Sequence, residues 1–182
     1  MTLSYLVPYP REVGAGMIVV IPCFNEPELR ETLHSLRACH RPRVNVLVAI
    51  VMNSSERSDD DAVRQNRSTY AEVKAFSDRY NEPALSFFPL LFEGLPRKHA
   101  RVGLARKMGM DLAVDHFLKN DMTRGVIVSL DADCLVSPNF LVSIHDAFQN
   151  DPRICTTIHD FSHRSEERRA GKECRSRWSP YH

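Results

Sequence analysis

Short β-branched apolar runs alternate along this chain with stretches of helical period, which predicts an α/β protein: a Rossmann-like, mainly parallel sheet flanked by helices. Two further observations point the same way. The apolar runs are too brief for helices and are bounded by Gly, Pro, Asn or Asp, as strands buried on both faces are. Asn25, Asn53 and Asp131 then fall where such runs end, and parallel sheets gather their ligands at the carboxyl ends of their strands.

Met17 to Pro22 (MIVVIP), bounded by glycine before and proline after, is the first expected strand. A helix follows, with Asn25 as N-cap, Pro27 in the first turn, Glu26 and Glu28 at the positive end of the dipole, and Leu29, Leu33 and Leu36 at helical spacing. Val44 to Met52 (VNVLVAIVM) is a second buried strand, closed by the polar turn Asn53-Ser54-Ser55. Asp59 to Asp61 open a helix carrying Val63, Tyr70, Val73 and Phe76 that stops at Pro83. Ser86 to Phe92 is the third strand, and a basic connection (GLPRKHAR) leads into a helix over Val102 to Leu118. Gly125 to Leu130 supplies the fourth strand. Pro138-Asn139 introduces a helix with Phe140, Leu141, Ile144 and Phe148, and Ile154 to Ile158 is expected as a fifth strand.

The 182 residues correspond to one domain with ordinary apolar and charged content. A formal charge of +1, with basic and acidic residues interspersed, gives no field for nucleic acid. No apolar run approaches the roughly 18 residues of a membrane span, and the start MTLSYLVPYPREVG lacks the pattern of a signal peptide. A cytosolic location is therefore expected, with attachment to the cytosolic face of a membrane left open. The five cysteines form no C-x-x-C pair and read as reduced core thiols, not as a zinc site or a disulfide frame.

The run Val126 to Leu130 ends in Asp131-Ala132-Asp133. In an extended segment residues two apart share a side, so the two aspartates can converge on one ligand while Ala132 faces away. Carboxylates this close repel unless a positive group lies between them, and a divalent cation with hard oxygen ligands suits that place. The plainer alternative is that Asp131 caps a turn and Asp133 is solvated.

Taken in order, VVIPCFNE at the end of the first strand, VMNSSE at the second, RVGLARKMG at a helix entrance and SLDADC after the fourth strand resemble the family 2 glycosyltransferases of GT-A fold. The resemblance covers residues 17 to about 145 and implies a nucleotide-sugar donor. On that likeness Pro22, Cys23 and Phe24 line the base pocket, Glu26 lies near the nucleoside, and Arg106 faces the donor diphosphate. Asp133 is the implied ligand of Mn2+ or Mg2+, with Asp131 toward the ribose or the metal. Where the family commonly has an acidic residue at the second strand end, this chain has Asn53, and Lys107 replaces the family's asparagine. Arg97, Lys98, His99 and Arg101 read first as solvated residues, and His145 as a helix-surface or core histidine.

The likeness further implies inverting transfer to a glycan, lipid or other acceptor, with a carboxylate base later in the family's sequence than this chain extends. Asp160 and His163 close the stretch before residue 164 without matching that base. The expectation is a donor-binding domain over residues 1–163, incomplete at its C-terminus and impaired in transfer. An apolar strand followed by Asp-x-Asp also opens the haloacid-dehalogenase phosphatases, but there the motif comes early and Thr or Val follows it, whereas Leu135 stands here. A non-catalytic nucleotide-binding module is the third alternative. Residues 164–182 (RSEERRAGKECRSRWSPYH) break from the preceding pattern and resemble the in-frame translation of a sequencing-library adapter, differing only at Ala170, where that translation has valine. They are expected to be a non-native tail, outside fold reasoning.

Overall fold

The strands β1 (Ala15–Cys23), β2 (Asn45–Ser55), β3 (Leu85–Leu95) and β4 (Val126–Ser129) form a sheet in the order β3-β2-β1-β4, every neighbouring pair parallel. The computed structural model describes residues 14–24, 26, 29–96, 102–151 and 153–157. Helices α1 (Leu29–Arg37), α2 (Asp60–Tyr80) and α3 (Val102–Lys119) connect successive strands, and α4 (Phe140–Asn150) follows β4. This is the alternating α/β arrangement read from the sequence.

Strand periodicity divides the core into two layers. Met17, Val19 and Ile21 of β1, with Val46, Val48 and Ile50 of β2, face α1, α2 and α4 through Leu33, Leu36, Val73, Phe76, Leu141 and Ile144. Ile18 and Val20, with Leu47, Ala49 and Val51, face α3 through Ala105, Met108, Leu112 and Ala113. The central strands are thus apolar on both sides, the reason their sequences read as unbroken hydrophobic runs. Gly109 lets α3 approach closely: a Cβ there would lie 2.4 Å from Val20 Cγ1 and 3.1 Å from Val51 Cγ2.

Helix α2 begins where its sequence provides a cap, the Asp59 carboxylate accepting from the Ala62 N–H at 2.6 Å. At its other end Asn81 bridges to β3, its Oδ1 accepting from the Phe87 N–H at 2.7 Å. Asn25, Pro27 and Glu28, expected to open α1, lie outside the described residues, as do Arg97, Lys98, His99, Arg101, Asp160, His163 and the whole of 164–182.

Two expectations are corrected. Asn53-Ser54-Ser55 is not a turn but the last part of β2, with Asn53 paired to Phe92 and Ser55 to Leu95 across a local register shift. Strand β2 lies between two neighbours, so the ladder carries on past the apolar run. The fifth strand is absent over residues 154–157. The Ile154 N–H instead closes a turn on the Asp151 carbonyl at 3.1 Å, and Arg153 pairs with Asp151 at 2.8 Å. Local polar bonds thus displace strand pairing at a segment whose Cys155 and Thr156 are exposed.

Candidate functional site

The residues singled out in the sequence lie at the carboxyl edge of the sheet and the helix entrance beside it. At the end of β1, Pro22 and Cys23 are buried, Phe24 is 40% exposed and Glu26 is half-buried. Cys23 packs among Ile21, Leu29 and Leu33, so its thiol belongs to the core. Burial pushes that thiol up to about 12; the Glu26 charge adds to the rise, and a hydrogen bond with the Glu26 backbone opposes it. A thiol held protonated is no nucleophile at neutral pH. Asn53 is likewise 2% exposed, and its carbonyl accepts a hydrogen bond from Asn66 Nδ2 at 3.1 Å, which ties the end of β2 to α2.

The aspartates leave the sheet in a turn rather than in extended backbone. The Cys134 N–H donates to the Asp131 carbonyl at 3.2 Å, placing Ala132 and Asp133 at the bend. The outcome for the side chains still alternates: Ala132 is buried, while Asp131 and Asp133 are exposed. What anchors this turn is α1. Thr32, completely buried, donates its hydroxyl to the Ala132 carbonyl at 2.7 Å, and Ser35 Oγ accepts from the Val136 N–H at 3.3 Å. The Cys39 thiol donates to the Ser137 carbonyl at 3.4 Å, and the His40 N–H to the Pro138 carbonyl at 2.7 Å.

Arg106, one turn into α3, reaches across to the same turn. Its Nη2 lies 2.5 Å from Asp131 Oδ1. With the arginine 36% and the aspartate 61% exposed, such a pair contributes roughly 0–1 kcal/mol, so it sets geometry more than stability. The buried Nε of Arg106 has no hydrogen-bond partner among the described residues. Lys107 turns away to pair with Asp111 on its own helix. Beside the aspartates, burial raises the Cys134 thiol, the charges of Asp133 and Asp131 reinforce it, and its S–H points at Asp133 Oδ1 at 3.8 Å.

Among the described residues no three His, Cys, Asp or Glu side chains converge closely enough to hold a metal. Asp131 and Asp133 offer hard oxygens open to solvent, a donor set that fits a cation completed by phosphate oxygens and water and does not fit an all-protein cage. The structure therefore brings Arg106 to Asp131, leaves Asp133 and Phe24 projecting outward, and turns the side chains of Cys23 and Asn53 inward. His145 is a core residue of α4, 6% exposed. Sequence reading missed Thr32, Ser35 and Asn66. A buried polar residue on a helix must find a partner, but nothing local in the sequence names the groups these three bond.

A parallel sheet whose connecting helices leave a polar edge at the strand ends is a Rossmann-like α/β arrangement, consistent with a GT-A domain. The sequence model of the family described as Glycosyltransferase like family 2 matches residues 15–181, and the chain belongs to that family. No curated protein matches it. The family match takes in 164–181, the segment that breaks from the rest in composition. Membership supports glycosyl transfer as the chemistry, in place of phosphate-ester hydrolysis, and suggests a nucleotide-sugar donor. No helix among the described residues is long and apolar enough to cross a membrane.

Proposed function

We propose that the chain binds a nucleoside-diphosphate sugar at the carboxyl edge of its sheet and acts in inverting transfer of the sugar to an acceptor hydroxyl. The observation that carries this reading is the meeting of the Arg106 guanidinium with the Asp131 carboxylate at a strand end, in a chain of this family. A guanidinium near a helix amino terminus favours phosphate oxygens. Asp131 and Asp133 supply the oxygens that would hold Mn2+ or Mg2+. A divalent ion, when bound, supplies charge neutralisation for the departing diphosphate. Phe24, with its ring partly open, offers a stacking face for the base, and Pro22, Glu26 and the end of β2 at Asn53 bound the same edge.

Thermal unfolding with UDP, GDP, ADP, CDP and their sugar conjugates, each with and without Mn2+, tests the reading. A ligand at a hundredfold excess over its Kd stabilises the native state by about 2.7 kcal/mol, which raises Tm by several degrees. One nucleotide is expected to stand out, with a larger shift when Mn2+ is present. Asp133→Ala should remove the metal-dependent part and keep the rest. Absence of any shift across the panel would sink the proposal.

A further inference from the structure

We infer that Arg106 is a latch on the cation site: without ligand its guanidinium occupies Asp131, so a divalent cation is held well only when a diphosphate draws the guanidinium away. The inference rests on the donor-site reading above and adds an order of events to it. Three observations support it. Asp131 and Asp133 are both exposed at the turn, and among the described residues no group of three His, Cys, Asp or Glu side chains could hold a metal. One of the two is engaged, Arg106 Nη2 standing 2.5 Å from Asp131 Oδ1. The buried Nε of the same guanidinium has no hydrogen-bond partner among the described residues.

The physics follows from charge. A cation arriving at Asp131 alone must displace the guanidinium or sit beside it, and like charges at contact range repel. A diphosphate reverses the balance. Its several anionic oxygens compete for a group with five N–H donors, against a single contact from Asp131. Asp131 is then released as the phosphates bring further oxygens for the metal. Lys107 is no substitute latch, being paired with Asp111 along the helix.

The test is Mn2+ binding to the 182-residue chain, read from the paramagnetic resonance of free Mn2+, alone and with UDP, GDP, ADP or CDP. The wild-type chain should bind Mn2+ weakly alone and at least roughly tenfold more tightly with the matching diphosphate. Arg106→Met should bind Mn2+ alone roughly three- to tenfold more tightly than wild type and lose most of the diphosphate enhancement. Arg106→Lys, which keeps the charge without the planar fork, should fall between them and covers the case in which the methionine variant fails to fold. Lys107→Met should match wild type. An unchanged or weaker Mn2+ affinity in both Arg106 variants overturns the latch, as does an equal gain in Lys107→Met or a wild-type affinity indifferent to diphosphate. Failure of the donor-site reading looks different: no Mn2+ bound by wild type or by any Arg106 variant with any of the four nucleotides.

Discussion

Thr32 donates its hydroxyl hydrogen bond to the carbonyl between the two aspartates, from a position with no exposure to solvent. Thr32→Val keeps the shape and leaves that carbonyl without its donor, a loss of about 1–3 kcal/mol. Urea unfolding should show that loss. Mn2+-dependent ligand stabilisation should fall further than the metal-independent part, because the turn holding Asp131 and Asp133 is then less firmly placed. An equal fall in both would mean that Thr32 acts on stability alone. The contrast with the aspartates explains what could be read in advance. Asp131 and Asp133 interrupt an apolar run and so declare themselves in sequence, as does Arg106 at a helix entrance. Thr32 is one hydroxyl in an ordinary amphipathic helix, and its partner lies 100 residues away. A turn at the aspartates stood in the sequence only as the plainer alternative to extension; the bond from the Cys134 N–H to the Asp131 carbonyl decides for the turn once the strand has ended.

At the level of elements, α3 is seated by an absence. Gly109 faces Val20 and Val51 so closely that Gly109→Ala requires the helix to lift from the sheet, although alanine is the better helix former by about 1 kcal/mol. Overpacking of this kind costs about 1–3 kcal/mol, so the variant should be destabilised on balance in chemical denaturation. Adding Val20→Ala should restore part of the loss, and a stabilised single variant would show that the contact relaxes freely. The sheet and its helices were legible because both faces of the central strands are covered, which writes their apolar character into consecutive residues. The polar end of β2 was not, since its place in the ladder is imposed by β3 alongside it and not by its own composition. The segment after α4 failed for the opposite reason: its residues permit a strand, but a turn closed on Asp151 takes the first backbone donor.

For the molecule as a whole, acid is the condition that finds a weak point. His116 on α3 is buried, and burial lowers its tendency to take a proton; Asp115 beside it and a hydrogen bond with the Ala15 backbone act in the other direction. With the folded value below the ordinary 6.5, the unfolded chain binds the proton more readily. The associated stability is fully present above the ordinary value and is lost as pH falls below it through the folded one. Urea unfolding at pH 7.5 and 5.5 should therefore show a lower midpoint at the acidic value, with His116→Gln reducing the difference. A difference that persists unchanged in the variant would assign the effect to other groups. The strand order has another consequence, for how the chain assembles. β1 pairs β4 directly, yet β2, β3 and all their connecting helices lie between them in sequence. One edge of β1 therefore waits for a partner until most of the described chain has been made, and contacts of such long range form slowly. The turn bearing the two aspartates, tied to α1 across the same span, closes only with that last pairing. During synthesis, the edge that carries the two aspartates is therefore completed late.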